Sequence, residues 1–157
     1  MVRRTALDNN PCSIAKALDV LGDPWTMLIL RDAVLGATKF EQFTSRLSIP
    51  RATLTARLSR LCEAGVLNRV RYQEAPPRHE YVLTEKGQAL QPVIVTLMQW
   101  GDQWLRDDPP PTRLVEADTG RTIHPVLIDA STGTPLEDLH VRVVGPVVGE
   151  LSGGVAY

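Results

Sequence analysis

Residues 48–78, SIPRATLTARLSRLCEAGVLNRVRYQEAPPR, are the stretch on which the fold of this 157-residue chain turns. Leu54, Leu58 and Leu61 recur at helical spacing and form one apolar stripe, which predicts a helix buried along that side. Ala52, Thr53, Thr55, Ala56, Ser59 and Arg60 fall on the opposite side, which is small, polar and basic. Ser48 is a candidate cap, and Pro50 suits the first turn, where a missing N–H costs nothing. Such a face meets the steric demand of the DNA major groove: the alanines permit close approach, and threonine and arginine supply donors. Taken alone, the pattern also fits an amphipathic surface helix with a solvated polar side, so the flanking segments decide.

Ala64-Gly65 stops the helix, and two β-prone runs follow, 66–73 and 79–84, around the tip Glu74-Ala75-Pro76-Pro77-Arg78. A helix followed by a basic hairpin is the layout of a winged helix. Between Arg51 and Arg78 there are six arginines (51, 57, 60, 69, 71 and 78) against two glutamates, a local excess of the kind that phosphate neutralisation requires. The net charge of −1 conceals an asymmetry: residues 1–106 hold fourteen Lys/Arg against ten Asp/Glu, and residues 107–157 three against eight. The basic surface therefore belongs to the first two-thirds of the chain.

Upstream, residues 1–9 are polar and expected to fray. Asn10-Pro11-Cys12-Ser13 predicts a helix start, with Asn10 as cap and Pro11 in the first helical position, leading to Ile14, Ala17, Leu18 and Leu21 and ending at Gly22. Asp23-Pro24 opens a second helix, 25–35, whose apolar residues nearly encircle it and place it centrally. A short helix over 39–47 turns Phe40, Phe43 and Leu47 inward, and Leu47-Ser48-Ile49 forms the tight turn of a helix-turn-helix pair. Downstream, Thr84 caps a long helix running to about Arg106, which Pro92 kinks or deprives of a hydrogen bond. Its apolar stripe is wider than a small core needs, which points to a homodimer; a tail folded over the stripe would cover it equally.

At 43% hydrophobic the chain can bury one good core and a small appendage, giving an α+β fold in three parts. Residues 1–106 form the winged helix-turn-helix domain, mainly α with a two-stranded wing; 107–112 a Pro-rich linker; and 113–157 a small β-rich appendage with strands near 113–116, 122–128 and 140–144. Two cysteines fifty residues apart make neither a disulfide framework nor a metal cluster, and no cofactor is called for. The start MVRRTALDNN lacks the apolar stretch of a signal peptide, and no run approaches membrane-spanning length, so a cytoplasmic protein without membrane contact is expected. Cys12, in the first turn of a helix with Lys16 one turn on, is a candidate reactive thiol or, alternatively, a small residue packing the helix start. Trp25, with Met27, either walls an effector pocket or belongs to the core, and Cys62 reads as core.

With these pieces placed, residues 11–105 resemble the HxlR-type transcriptional regulators, a winged-helix group related to the MarR regulators. The matching elements are Pro11-Cys12-Ser13-Ile14, Leu21-Gly22-Asp23-Pro24-Trp25, Ile29-Leu30-Arg31-Asp32, Phe40-Glu41-Gln42-Phe43, residues 54–61 with Gly65-Val66-Leu67, residues 81–87, and Trp100-Gly101. The resemblance implies a homodimer, joined through its terminal helices, that binds operator DNA. It also implies a sensing role for a cysteine at the position of Cys12 in some members, while others carry the cysteine without that role. The tail resembles an extension of longer relatives in which Cys-Gly and Cys-x-x-Cys-Gly knuckles imply a zinc ribbon. Here Thr119-Gly120 and residues 129–133 keep the glycines without the thiols, and His124 and His140 supply no ligand set, so the β fold is expected without metal.

The function expected is therefore a dimeric DNA-binding regulator, a repressor, whose affinity is modulated by a small apolar or electrophilic effector or through Cys12. Arg51, Thr53, Thr55, Ser59 and Arg60 are expected at bases and nearby phosphates, and Arg69, Arg71, Arg78 and His79 at backbone or minor groove. Arg57, beside the buried stripe, either pairs within the protein or touches phosphate. An enzyme using Cys12 as nucleophile would need a histidine base, and His79, His124 and His140 all lie in the wing or tail. A protein-interaction module that keeps the winged shape without binding DNA is the remaining alternative.

Overall fold

The computed structural model describes residues 11–142 and 144. The chain forms two compact units, the first ending at Trp100 and the second beginning at Gly101. In the first, α1 (Ser13–Leu21), α2 (Pro24–Val34), α3 (Phe40–Leu47) and α4 (Arg51–Glu63) precede a hairpin of β1 (Leu67–Gln73) and β2 (Arg78–Leu83). Two more helices follow, α5 (Glu85–Gln88) and α6 (Gln91–Trp104), the last running into the second unit. This is a winged helix-turn-helix: α3 and α4 are the pair and the hairpin is the wing. β1 and β2 are antiparallel, Leu67 opposite Leu83 and Arg71 opposite His79, with a bulge between Arg71 and Gln73. A third segment too short to show in the sequence pattern joins them, because Lys39 bridges to Glu80 and the Tyr81 N–H donates to the Thr38 carbonyl at 2.7 Å.

The core is made by Ile29, Leu30 and Ala33 of α2, Phe43 of α3, Leu54, Leu58 and Leu61 of α4, and Val66 and Leu67 at the start of the wing. Local chemistry starts each element. The Asp23 carboxylate accepts from the Thr26 N–H at 3.2 Å and caps α2. Gln42 Oε1 accepts from the N–H groups of Thr38 and Lys39, both at 2.8 Å, and so closes the entry to α3. Thr84 Oγ1 accepts from the Gly87 N–H at 3.1 Å, and the Thr84 N–H donates to the Val66 carbonyl at 3.1 Å, tying α5 to the end of the recognition segment.

Several expectations are corrected. Ser48 does not cap α4; it ends α3 in the left-handed region at φ 50°, and Pro50 occupies the cap position of α4. Ile49 between them is buried, so the turn is anchored by an apolar plug and not by a side-chain cap. Pro11 precedes α1 and Cys12 is its N-cap residue, its carbonyl accepting from the Lys16 N–H at 3.1 Å; the expectations for residues 1–10 lie outside the described residues. The long helix kinked at Pro92 is instead two helices with a break at Ala89-Leu90. Pro92, which can neither donate nor tolerate the carbonyl four residues back, lies in the first turn of α6, where neither is needed.

In the second unit the expected strands shrink to single bridges, Val115 with Thr122 and Ile128 with Pro135, followed by a 3-10 turn, Leu136–Asp138. Each bridge closes a turn at a left-handed glycine, Gly120 (φ 69°) and Gly133 (φ 73°). The turns are also tied by side chains: the Thr119 hydroxyl donates to Glu116 Oε2 at 2.6 Å, and the Ser131 hydroxyl to Asp129 Oδ1 at 2.8 Å. Pro125 and Pro135 withhold donors that a longer ladder would need. Residues 140–142 and 144 are not in a strand, and Val143 lies outside the described residues.

Gly87 is buried where α5 meets the wing, and an added Cβ would fall inside contact distance of the Val66 carbonyl oxygen and 2.8 Å from Leu83 Cδ2. Gly87→Ala should cost about 1–3 kcal/mol, read as a lower urea midpoint with an unchanged slope.

Candidate nucleic-acid interface

The leucine stripe of α4 is removed from water, and Arg51, Ala52, Thr55, Ala56 and Ser59 are therefore turned outward, with Thr53 half-buried beside them. The outward surface is low. Thr55 Oγ1 folds back onto the Arg51 carbonyl at 2.9 Å, and Ser59 Oγ lies 3.5 Å from Glu63 Oε1. Arg51 stacks on the Phe40 ring, its guanidinium carbon 4.7 Å from the ring centre, which joins the start of α4 to the start of α3.

Arg57 and Arg60, in the second half of α4, are engaged within the protein. Arg57 makes a two-pronged pair with Asp23, Nε to Oδ1 at 2.9 Å and Nη2 to Oδ2 at 2.8 Å. Arg60 Nη2 donates to the Asp19 carbonyl at 2.6 Å and lies 3.5 Å from its carboxylate. Both contacts join α4 to the elbow between α1 and α2. Burial disfavours the charge on Asp23, but the hydrogen bonds from Arg57 and the Thr26 N–H outweigh it and hold the carboxyl below its ordinary range.

On the wing, Arg69, Arg71 and Arg78 are exposed. Arg71 is turned along the hairpin, pairing with Glu74 at 3.2 Å and donating to its carbonyl at 3.0 Å. Arg69 Nη2 lies 3.2 Å from His79 Nδ1. Burial, and then the charges of Arg69 and Arg71, push the His79 imidazole below its ordinary value. Sequence reasoning missed Lys39 and Tyr72. The Lys39 ammonium sits 5.1 Å from the centre of the Tyr72 ring, and an open notch of about 170 Å³ between α3 and the wing is lined by Phe40, Glu41, Tyr72, Pro77, Arg78, His79 and Tyr81. Lys39 read only as a helix start; the hairpin pairing that brings Tyr72 beside it has no local signal.

The two effector candidates stand at the starts of α1 and α2 and do not line the notch. Cys12, partly exposed, begins α1, and Trp25 and Met27 are half-buried against the core. Cys62 also packs on the core, and burial pushes its thiol up. Neither cysteine forms a disulfide.

A helix-turn-helix with this wing matches the family model described as HxlR-like helix-turn-helix over residues 20–109. The chain belongs to the HxlR family. An HTH-type transcriptional regulator of Mycobacterium tuberculosis is 44% identical over 138 residues, covering 87% of this chain and 85% of its own. Among solved structures, PA1607, described as a candidate transcription factor, superposes with TM-score 0.77 at 40% identity over 88% of this chain and 99% of its own. The redox regulator HypR in its reduced form superposes with TM-score 0.56 at 31% identity over 59% of this chain and 92% of its own. This HxlR member is a transcriptional regulator with a helix-turn-helix DNA-binding domain, not an enzyme. Among the described residues, no helix is long and apolar enough to cross a membrane.

Asparagine caps a helix as well as aspartate, so Asp23→Asn isolates the pair with Arg57 from the cap of α2. Its folded-state pKa being depressed, the contribution is fully present above the unfolded value near about 4 and is lost as pH falls through the folded value. Urea unfolding of Asp23→Asn should show a deficit of about 1–2 kcal/mol at pH 7 that shrinks toward zero as acid protonates the folded-state carboxyl.

Proposed function

We propose that this HxlR member acts in the cytoplasm as a homodimeric repressor that reads a two-fold symmetric operator with the first half of α4. The observation that carries this is the division of labour along that helix. Its first half presents a low, exposed surface with Arg51 at the front, while Arg57 and Arg60 in its second half are held by Asp23 and Asp19. Arg51, Thr53 and Thr55 meet bases and nearby phosphates, Ser59 the groove edge, and Arg69, Arg71, Arg78 and His79 the flanking backbone. Arg57 and Arg60 serve binding by fixing the rotation of α4 from their ion pairs.

Dimerisation is supported by the outer stripe of α6. Val93, Leu97, Trp100 and Trp104 recur at helical spacing and are 47%, 52%, 54% and 66% exposed, which is unusual for residues of this size in a monomer. Ile14 and Leu18 expose a second apolar strip on α1, at 69% and 47%. Two copies joined so that their α4 helices lie about one DNA turn apart would suit a two-fold symmetric site. Cys12 is the residue through which an oxidant or electrophile modulates affinity, a reading supported by its partial exposure at the start of α1 and by the likeness to HypR.

Selection of duplexes from a random pool at near-physiological salt tests the reading. A palindromic site with half-sites about ten base pairs apart is expected, bound with an affinity that falls steeply as salt rises. Folded, reduced protein that enriches nothing would leave the interaction module in its place. On the selected operator, Arg51→Ala should weaken binding about tenfold or more without altering the dimer. Trp100→Glu should give a monomer by sedimentation and lose operator binding with it.

A further inference from the structure

We propose that the operator half-site carries a guanine and, adjoining it, thymines: Arg51 reads the guanine, and the methyl groups of Ala52, Thr55 and Ala56 read the methyl groups of the thymines. The proposal rests on the DNA-binding reading above and deepens it from the class of partner to the bases. Each outward group of α4 has only certain chemistry left to offer a base edge.

Ala52, Thr55, Ala56 and Ser59 stand at positions i, i+3, i+4 and i+7 of the helix and so share one line, away from the buried stripe of Leu54, Leu58 and Leu61. All four are exposed. The line holds two hydroxyls, and both are turned back on the protein. Thr55 Oγ1 gives its proton to the Arg51 carbonyl at 2.9 Å, which leaves the Thr55 methyl as the group that a base edge can gain from. Ser59 Oγ is directed to Glu63 Oε1 at 3.5 Å. Together with the two alanines, the centre of the outward surface therefore presents methyl groups. Every base pair carries polar groups in the major groove, and none of them gains from a methyl. The thymine methyl is the apolar group on a base edge that does.

Arg51 differs in kind. Its guanidinium carbon lies 4.7 Å from the centre of the Phe40 ring, and among the described residues it is in no ion pair with a carboxylate, unlike Arg57 and Arg60. Stacking engages the flat face and leaves the N–H groups along the edge, in the fork that matches O6 and N7 of guanine. A fork held on a ring has also lost part of its rotamer freedom before binding. Arg51 directly precedes Ala52 at the start of α4, so the guanine adjoins the thymines.

The test uses the full chain and the operator selected as above. Each thymine is replaced in turn by uracil, which removes the methyl group and leaves the hydrogen-bonding edge unchanged. Uracil at the thymines under the line is expected to weaken binding about fourfold each, the worth of roughly one buried methyl group. Thr55 is exposed, so its variants leave the core intact. Thr55→Val keeps a methyl and loses the hydroxyl, and should bind within about twofold of wild type. Thr55→Ser keeps the hydroxyl and loses the methyl; it should bind about fourfold more weakly and become indifferent to one of the uracils, because substitution and base change remove the same contact. Deazaguanine lacking N7, placed at the guanine, should weaken wild-type binding about fivefold and Arg51→Ala binding less than about twofold. An operator in which no uracil matters, or affinity lost in Thr55→Val and kept in Thr55→Ser, overturns the methyl line while leaving the regulator reading intact; a protein that selects no duplex overturns both. Methylated cytosine presents the same methyl group. Sites enriched only from a pool methylated at CpG steps would assign the line to that base and overturn its assignment to thymine.

Discussion

Leu54, Leu58 and Leu61 are taken out of water against α2, α3 and β1, and everything that α4 presents outward follows from that burial. A fully buried leucine contributes about 1.5–3 kcal/mol, so rotating α4 by even one residue would expose the stripe and cost several times what any surface contact returns. The side facing solvent is then whatever the intervening positions carry. Here they carry alanine, threonine, serine and an arginine at the front, a surface low enough for a groove and furnished with donors.

Electrostatics divide the same helix lengthwise. The paired guanidiniums of Arg57 and Arg60 reach back to Asp23 and Asp19 on either side of Gly22, where α1 gives way to α2. Asp23 also caps α2, so one carboxylate fixes the start of one helix and the orientation of another. Partly buried pairs of this geometry add more to alignment than to stability, since desolvation offsets much of the attraction. The cation at the other end, Arg51, is laid on the Phe40 ring instead, as Lys39 at the start of α3 is laid on Tyr72, which orders both without neutralising them. The protein thus uses carboxylates where a charge is to be spent on position and rings where a charge is to be kept for a partner.

The apolar stripe of α6 and the strip on α1 raise a different physical question, because these residues lie outside the core yet keep helical spacing. Large side chains at 93, 97, 100 and 104 exposed along one line are disfavoured in water, and that exposure is what supports the proposed dimer. The second unit is held by shorter-range means. Its turns are closed by left-handed glycines and by carboxylates that accept from nearby hydroxyls, so each turn is stabilised by its own few residues and needs little core.

Helix periodicity, the hairpin around Pro76-Pro77 and the local arginine excess were legible in residues 48–78 alone, because each depends on residues close in sequence. Caps that use a single side chain, Asp23 and Thr84, were legible for the same reason. Ser48 was not, since whether it ends one helix or starts the next depends on where buried Ile49 is anchored. Arg57 could be set apart by its place beside the buried stripe, but Arg60 could not be separated from Arg51, as both lie on the polar side of one helix and carry the same charge. Their partners, Asp23, Asp19 and Phe40, come from three other places in the chain. Nor could Lys39 be joined to Tyr72, thirty-three positions away, until the wing folded back on α3. The sequence by itself determined the elements and the sign of the surface, through local spacing and charge; which cations are held and which are available was decided only by the tertiary structure, because that depends on the carboxylates and rings that packing brings within reach.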